Sequence, residues 1–151
     1  PLLNMNGEVV GINVAIRAGA MRIGFAIPID DARKVVARLM SIEQMNHTFH
    51  GLDGKDVKSA EKRELHVAGV SPESPAAKAG LQPGDVVLKV ADKPVVDSAD
   101  WELALLGRNI GDTVNVLVRR GDKTETKSLA IAPFHGGKAR LSADFVARAN
   151  N

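Results

Sequence analysis

The sequence predicts an α+β protein: a small β-sandwich or barrel with two short helices, preceded by a β-rich segment and a connecting helix. Three observations predict it. Short strands and two helices alternate in mixed order, which suits two packed layers around one core. Residues 74–87 pack a very short helix, a forced stop and a buried strand into one cassette. The composition is 44% apolar but only 3% aromatic, so the core has to be built mostly from Val, Leu, Ile and Ala.

The elements follow in order. Residues 1–28 read as a strand, a turn at Asn4-Met5-Asn6-Gly7, a second strand, a loop and a third strand ending at Pro28. A helix is expected from Ile29 to about Ile42 within a connecting segment, residues 29–46. Asp30 and Asp31 stand at its start, where the helix dipole favours negative charge. Ala32, Val35, Val36, Leu39 and Met40 follow helical spacing and define its apolar face. The main domain runs over 47–133, with strands expected near 48–52, 65–70, 86–90, 113–119 and 124–131. Arg120-Gly121-Asp122-Lys123 is the hairpin turn between the last two, and the Arg119-Arg120 pair reads as solvated.

In the cassette, Ser74 caps a helix and Pro75 suits its first position. Ala76, Ala77 and Ala79 are small enough to lie flat on a sheet. Gly80 ends the helix in the left-handed conformation, and Pro83-Gly84-Asp85 turns the chain into the apolar run 86–90. A second helix covers about 98–106 and stops near Gly107. A tail, 134–151, carries Gly136-Gly137 and mixed polar residues.

Charge and composition exclude several classes. Lys and Arg number 20 against 18 Asp and Glu, a net charge of +2, with no cluster of the kind that binds nucleic acid. No run approaches the roughly 18 apolar residues of a membrane span. The absence of cysteine rules out disulfides and suits an oxidising compartment without requiring one. His47, His50, His66 and His135 show no metal-ligand spacing, so neither metal nor cofactor is expected. His66 reads as a packed or edge histidine, and Ser59, Ser71, Ser74 and Ser98 sit in turn or cap contexts rather than in a nucleophile elbow.

The order of turn residues through 74–87 resembles the core of a PDZ domain as it occurs in the HtrA/Deg family of trypsin-like serine proteases. The segments 1–13, Ala15-Ile16 and 23–28 resemble the last strands of that family's protease domain. There they directly follow Gly-Asn-Ser-Gly-Gly, whose serine is the nucleophile. The chain begins on the proline after that motif, so the expectation is a piece of a larger protease lacking the Ser, His and Asp of the triad. The resemblance implies that Ile12, Asn13, Val14, Ala15 and Ile16, with the loop 17–22, help form the parent's specificity pocket. Their small and aliphatic side chains imply a shallow apolar pocket. It also implies a homo-oligomeric parent, a periplasmic or otherwise extracytoplasmic location, and proteolysis in protein quality control. Residues 1–28 are too few for a closed barrel; they are expected to be disordered, docked on the rest, or paired with another molecule.

A groove for peptide C-termini is the implied binding site. On the 98–106 helix, Trp101, Ala104 and Leu105 share one face, and Ala99, Leu103 and Leu106 share nearly the opposite one. One face serves the core; the other either walls a peptide groove or is covered by the connecting helix or tail. The family's carboxylate-binding loop, X-hydrophobic-Gly-hydrophobic, is matched by Phe49-His50-Gly51-Leu52, with His50 departing from the pattern. Its backbone N–H groups are expected to receive a terminal carboxylate while the next strand pairs with the peptide. The plain alternative is an ordinary turn at Gly51. That strand, Asp53-Gly54-Lys55-Asp56-Val57, is unusually polar. The implied partners are hydrophobic C-terminal peptides of unfolded or regulatory proteins. Two competing classes are a non-catalytic PDZ adaptor and a PDZ-bearing membrane metalloprotease; Gly24-Phe25-Ala26-Ile27-Pro28 follows the HtrA pattern and disfavours the latter.

Overall fold

Residues 1–16, 24–59 and 62–134 are described by the computed structural model. The first sheet is a three-stranded antiparallel meander of β1 (Leu2–Leu3), β2 (Val9–Ile16) and β3 (Gly24–Pro28). Its first turn forms as the sequence suggests: the Asn4 side chain accepts hydrogen bonds from the N–H groups of Asn6 and Glu8, each at 3.0 Å. The meander is open and docks on α1 (Ile29–Leu39), leaving Val14 and Phe25 largely exposed. The loop 17–22 and the tail beyond Phe134 lie outside the described residues.

Helix α1 starts directly after Pro28, with Asp30 and Asp31 in its first turn. Its expected apolar face is not the one it buries. Val35, Val36 and Leu39 are exposed, whereas Ala37 is buried. The rotation follows from Arg33, whose guanidinium bonds Asp97 and Asp100 across 64 and 67 residues of sequence, and holds α1 against the later helix. The helix also ends earlier than expected. Met40 leaves helical geometry, and a separate turn, α2 (Ile42–Met45), follows.

The main sheet is antiparallel, in the order β10-β9-β7-β6-β5. Its strands are β5 (Leu52–Lys58), β6 (Arg63–Val70), β7 (Val86–Val90), β9 (Thr113–Arg120) and β10 (Lys123–Ala130). A short β8 (Lys93–Pro94) adds to β7. The pair β4 (Thr48–Phe49) and β11 (Ala132–Pro133) ties the two ends of the domain together. The helices are α3 (Pro75–Lys78) and α4 (Ser98–Leu105).

The core is aliphatic, as the composition demands. On β9, Val114, Val116 and Val118 alternate inward, the period of a strand with one buried face. They pack with Leu65, Val67, Val87, Val90 and Leu129. From the helices come Ala76, Ile42 and the α4 face Trp101, Ala104 and Leu105. Burial of each aliphatic side chain stabilises by roughly 1.5–3 kcal/mol before entropy is charged.

Two local expectations change. The strand expected over 48–52 is broken at Gly51, whose φ of +73° separates β4 from β5. The Arg119-Arg120 pair is not free in solvent. Arg119 bonds Glu64 at 2.7 Å, and Arg120 bonds the buried carboxylate of Asp85.

Candidate functional site

The loop His50-Gly51 between β4 and β5 is shaped by the 74–87 cassette. Ser74 caps α3 by accepting the Ala77 N–H at 3.1 Å. The next residue but one, Ala76, donates its N–H to the His50 carbonyl at 2.9 Å, and Ser71 donates to the Gly51 carbonyl at 2.8 Å. Only glycine fits at 51: besides its positive φ, a Cβ there would stand 2.3 Å from the Ser74 Cβ. With the His50 carbonyl tied to the cassette and the Gly51 carbonyl to Ser71 just ahead of it, the loop's N–H groups are left to face other partners.

Beside this loop lies a cleft of about 520 Å³. One wall is β5, the edge strand of the main sheet, contributing Leu52, Asp53, Gly54, Lys55 and Asp56. The opposite wall is Ser98, Trp101 and Glu102 of α4, at helical i, i+3, i+4 spacing. Lys34, Ala37, Arg38 and Ser41, from α1 and the residues after it, complete the lining with His50 and Leu65. Ser98 donates its backbone N–H to the Asp56 carboxylate at 2.8 Å, a polar bridge between the two walls.

The electrostatics of the loop are dense. Glu43 of α2 accepts the N–H of His50 at 2.8 Å and of Gly51 at 3.1 Å through one oxygen. The Leu52 N–H goes to His50 Nδ1 at 3.1 Å. That bond makes Nδ1 an acceptor, so the proton of the neutral ring sits on Nε2, which is buried with no partner among the described residues. Burial holds His50 below the usual histidine range, against the opposing pull of Glu43. Its ring meets Trp101 edge to face, with centroids 5.4 Å apart. Glu102 accepts the Ile42 N–H at 3.1 Å. Burial pushes the Glu102 carboxyl up to about 7, and the nearby Glu43 charge adds to the rise. Burial alone would also raise Asp97, but the Arg33 guanidinium and the Asp100 N–H leave it below its ordinary value.

The sequence-predicted residues are partly brought together. His50 and Leu52 line the cleft and Gly51 forms the loop beside it. Phe49 instead packs edge to face on Phe134. Ala99 is buried, and Leu103 and Leu106 are 40% and 45% exposed and do not line the cleft. The helix wall therefore shifts from the expected apolar stripe to a largely polar one carrying the bulky Trp101. Ile12, Asn13 and Val14 lie exposed on β2; Ile12 and Asn13 pair with Ile27 and Ala26 of β3, the register shifts at Val14, and the backbones of Ala15 and Ile16 resume the pairing with Phe25 and Gly24. Glu43, Asp56, Ser98 and Glu102 were missed. The 98/101/102 spacing was available as a signal, but Glu43 carries none, because its role depends on where α2 docks.

A family model described as PDZ domain matches residues 45–131. The chain belongs to the PDZ-domain family. The match takes in β4 to β10, the whole cleft apart from its α1 side, and Glu43 falls just ahead of it. Similarity extends beyond this PDZ domain. The chain is 36% identical over 154 residues to a probable periplasmic serine endoprotease, DegP-like, of Pseudomonas putida, covering 95% of this chain and 32% of that protein. It is 30% identical over 141 residues to the periplasmic serine endoprotease DegP of Salmonella typhimurium, covering 86% of this chain and 30% of that one. The chain thus spans about a third of the length of these curated relatives. Among solved structures, the HtrA-type protease AlgW with decapeptide is similar at a TM-score of 0.53 and 25% identity, over 87% of this chain and 44% of that one. Among the described residues, no helix is long and apolar enough to cross a membrane.

Proposed function

We propose that this chain is the peptide-binding PDZ region of an HtrA-type serine endopeptidase and binds hydrophobic C-termini in the cleft between β5 and α4. One observation carries the reading: the N–H groups of His50 and Gly51 already hold a carboxylate, that of Glu43, at 2.8 and 3.1 Å. A loop that cradles one carboxylate beside a sheet edge suits a peptide's C-terminus, followed by strand addition along β5. The solved AlgW structure that this chain resembles contains a decapeptide, which agrees with a peptide as the ligand class. In this reading the carboxylate meets the N–H groups of His50, Gly51 and Leu52. The terminal side chain lies near Leu52 and Trp101, and Ala99, Leu103 and Leu106 take no direct part.

The whole protein is proposed to be a homo-oligomeric, extracytoplasmic protease of protein quality control, using Ser-His-Asp chemistry. Residues 12–16 would contribute to its specificity pocket. The 151 residues themselves bind rather than cleave. The test is a calorimetric titration with a peptide ending in valine and with its amidated twin. Micromolar binding of the free acid and much weaker binding of the amide is expected; equal binding of both rejects the carboxylate loop.

A further inference from the structure

The loop that would receive a ligand's carboxylate is filled from within. All three of its N–H groups are taken: His50 and Gly51 donate to Glu43 at 2.8 and 3.1 Å, and Leu52 donates to His50 Nδ1 at 3.1 Å. The first two are the bonds a peptide C-terminus would make. A carboxylate on adjacent backbone N–H groups forms strong, charge-assisted bonds, and two anions cannot share them.

The mounting of Glu43 suits a movable plug. Its neighbour Ile42 is fully buried in the core, accepts the Thr48 hydroxyl at 2.9 Å and gives its N–H to Glu102 at 3.1 Å. Those contacts pin α2 at its first residue. The Glu43 side chain, by contrast, is 32% exposed, so it can rotate into solvent while Ile42 stays in place. Glu102 anchors the same turn from α4, so the helix wall of the cleft and the plug are mechanically joined.

From this geometry we infer that Glu43 is an internal pseudo-ligand: its carboxylate occupies the carboxylate loop of the free protein, and a peptide C-terminus binds only by displacing it. The inference rests on the peptide-binding reading above and adds regulation of that site. Its consequences are selectivity and a toll on affinity. A ligand with a free carboxylate replaces the bonds it breaks, whereas an amidated or internal segment does not. The measured affinity for any free-acid peptide is lowered by the fraction of molecules in which the loop is open.

The experiment compares the whole chain with Glu43→Ala and Glu43→Gln, using two readouts. The first needs no ligand: amide hydrogen exchange at His50 and Gly51 is expected to speed up by about tenfold in Glu43→Ala. The second is titration with the valine-ended peptide and its amide, where Glu43→Ala is expected to tighten the free acid by about tenfold and leave the amide unchanged. Glu43→Gln keeps length and an acceptor but loses the charge, and is expected to fall between; it carries both readouts if Glu43→Ala does not fold. Unchanged exchange at the two amides overturns the inference. So does a wild type that prefers the acid while Glu43→Ala binds it no more tightly, which makes Glu43 a structural brace. If exchange accelerates but neither protein binds either peptide, the peptide reading itself has failed and displacement fails with it.

Discussion

Arg120 grips Asp85 through two parallel hydrogen bonds of 2.7 Å, and the carboxylate they reach is only 1% exposed. The same guanidinium donates to the Gly80 carbonyl at 2.9 Å, and Asp85 accepts the Gln82 N–H at 3.0 Å. The end of β9 is thereby bolted to the turn that follows α3, the cassette that in turn shapes the His50-Gly51 loop. Removing the arginine leaves a buried carboxylate without its counter-charge. Although Arg120 is itself one-third exposed, Arg120→Ala is expected to destabilise by clearly more than an ordinary surface substitution, because the buried Asp85 carboxylate loses its partner. Urea denaturation at neutral pH measures it, and a change within about 0.5 kcal/mol, ordinary for a surface site, contradicts the assignment.

How far the sequence carried the reading depends on the range of the forces involved. The 74–87 cassette was legible because Ser74, Pro75, Gly80 and Gly84 each act on their own few bonds. The α4 core face and the β9–β10 hairpin were legible for the same reason, since periodicity and turn chemistry are local. The rotation of α1 was not, because it is set by Arg33 reaching Asp97, 64 residues on. Nor was the role of Arg120, whose partner Asp85 lies 35 residues back in the turn before β7. The loop at Gly51 was found by motif, but its occupant Glu43 was not, since a glutamate on a four-residue turn reads as solvated until its docking is known.

Glu102 makes stability depend on pH in an uncommon direction. Its carboxyl titrates near 7 in the fold against 4.5 when unperturbed, chiefly through burial. Between those values the folded chain holds a proton that the unfolded chain has released. The folded state therefore binds more protons, and this group's contribution to stability falls as pH rises through that window. Glu102→Gln keeps an acceptor for the Ile42 N–H and removes the titration. The variant is expected to gain on the wild type steadily from pH 4.5 to 7, read as the difference in denaturation midpoints; a difference flat with pH contradicts it.

His50 departs from the hydrophobic residue that the loop pattern favours, and its Nε2 is buried with no partner among the described residues. A buried polar atom in that state costs about 1–3 kcal/mol. His50→Leu removes the orphaned donor and frees the Leu52 N–H, now held by Nδ1 at 3.1 Å, for water or a ligand. The expected result is a net gain of about 1 kcal/mol in thermal or urea denaturation, with tighter binding of free-acid peptides. A loss of stability would mean that the edge-to-face contact with Trp101 outweighs the unsatisfied nitrogen.

The placement of the cleft's helix wall separates two readings of α4. If peptides rest on the apolar stripe of Ala99, Leu103 and Leu106, then Leu103→Asp puts a charge in the pocket and weakens binding by more than about tenfold. The cleft is instead lined by Ser98, Trp101 and Glu102, and Leu103 is 40% exposed on another side of the helix. Leu103→Asp is therefore expected to leave peptide affinity within about twofold, as for a charge in water beyond contact range. Trp101→Ala would disturb the core as well as the cleft, so it cannot serve as the partner variant. Ser98→Lys serves better: Ser98 lies in the cleft, and its hydroxyl and N–H both go to Asp56. A lysine there obstructs the groove while its backbone N–H can still reach the carboxylate. Free-acid peptide affinity is expected to fall about tenfold in Ser98→Lys, with the denaturation midpoint barely moved. The reverse pattern, strong loss in Leu103→Asp and none in Ser98→Lys, would return the ligand to the apolar stripe.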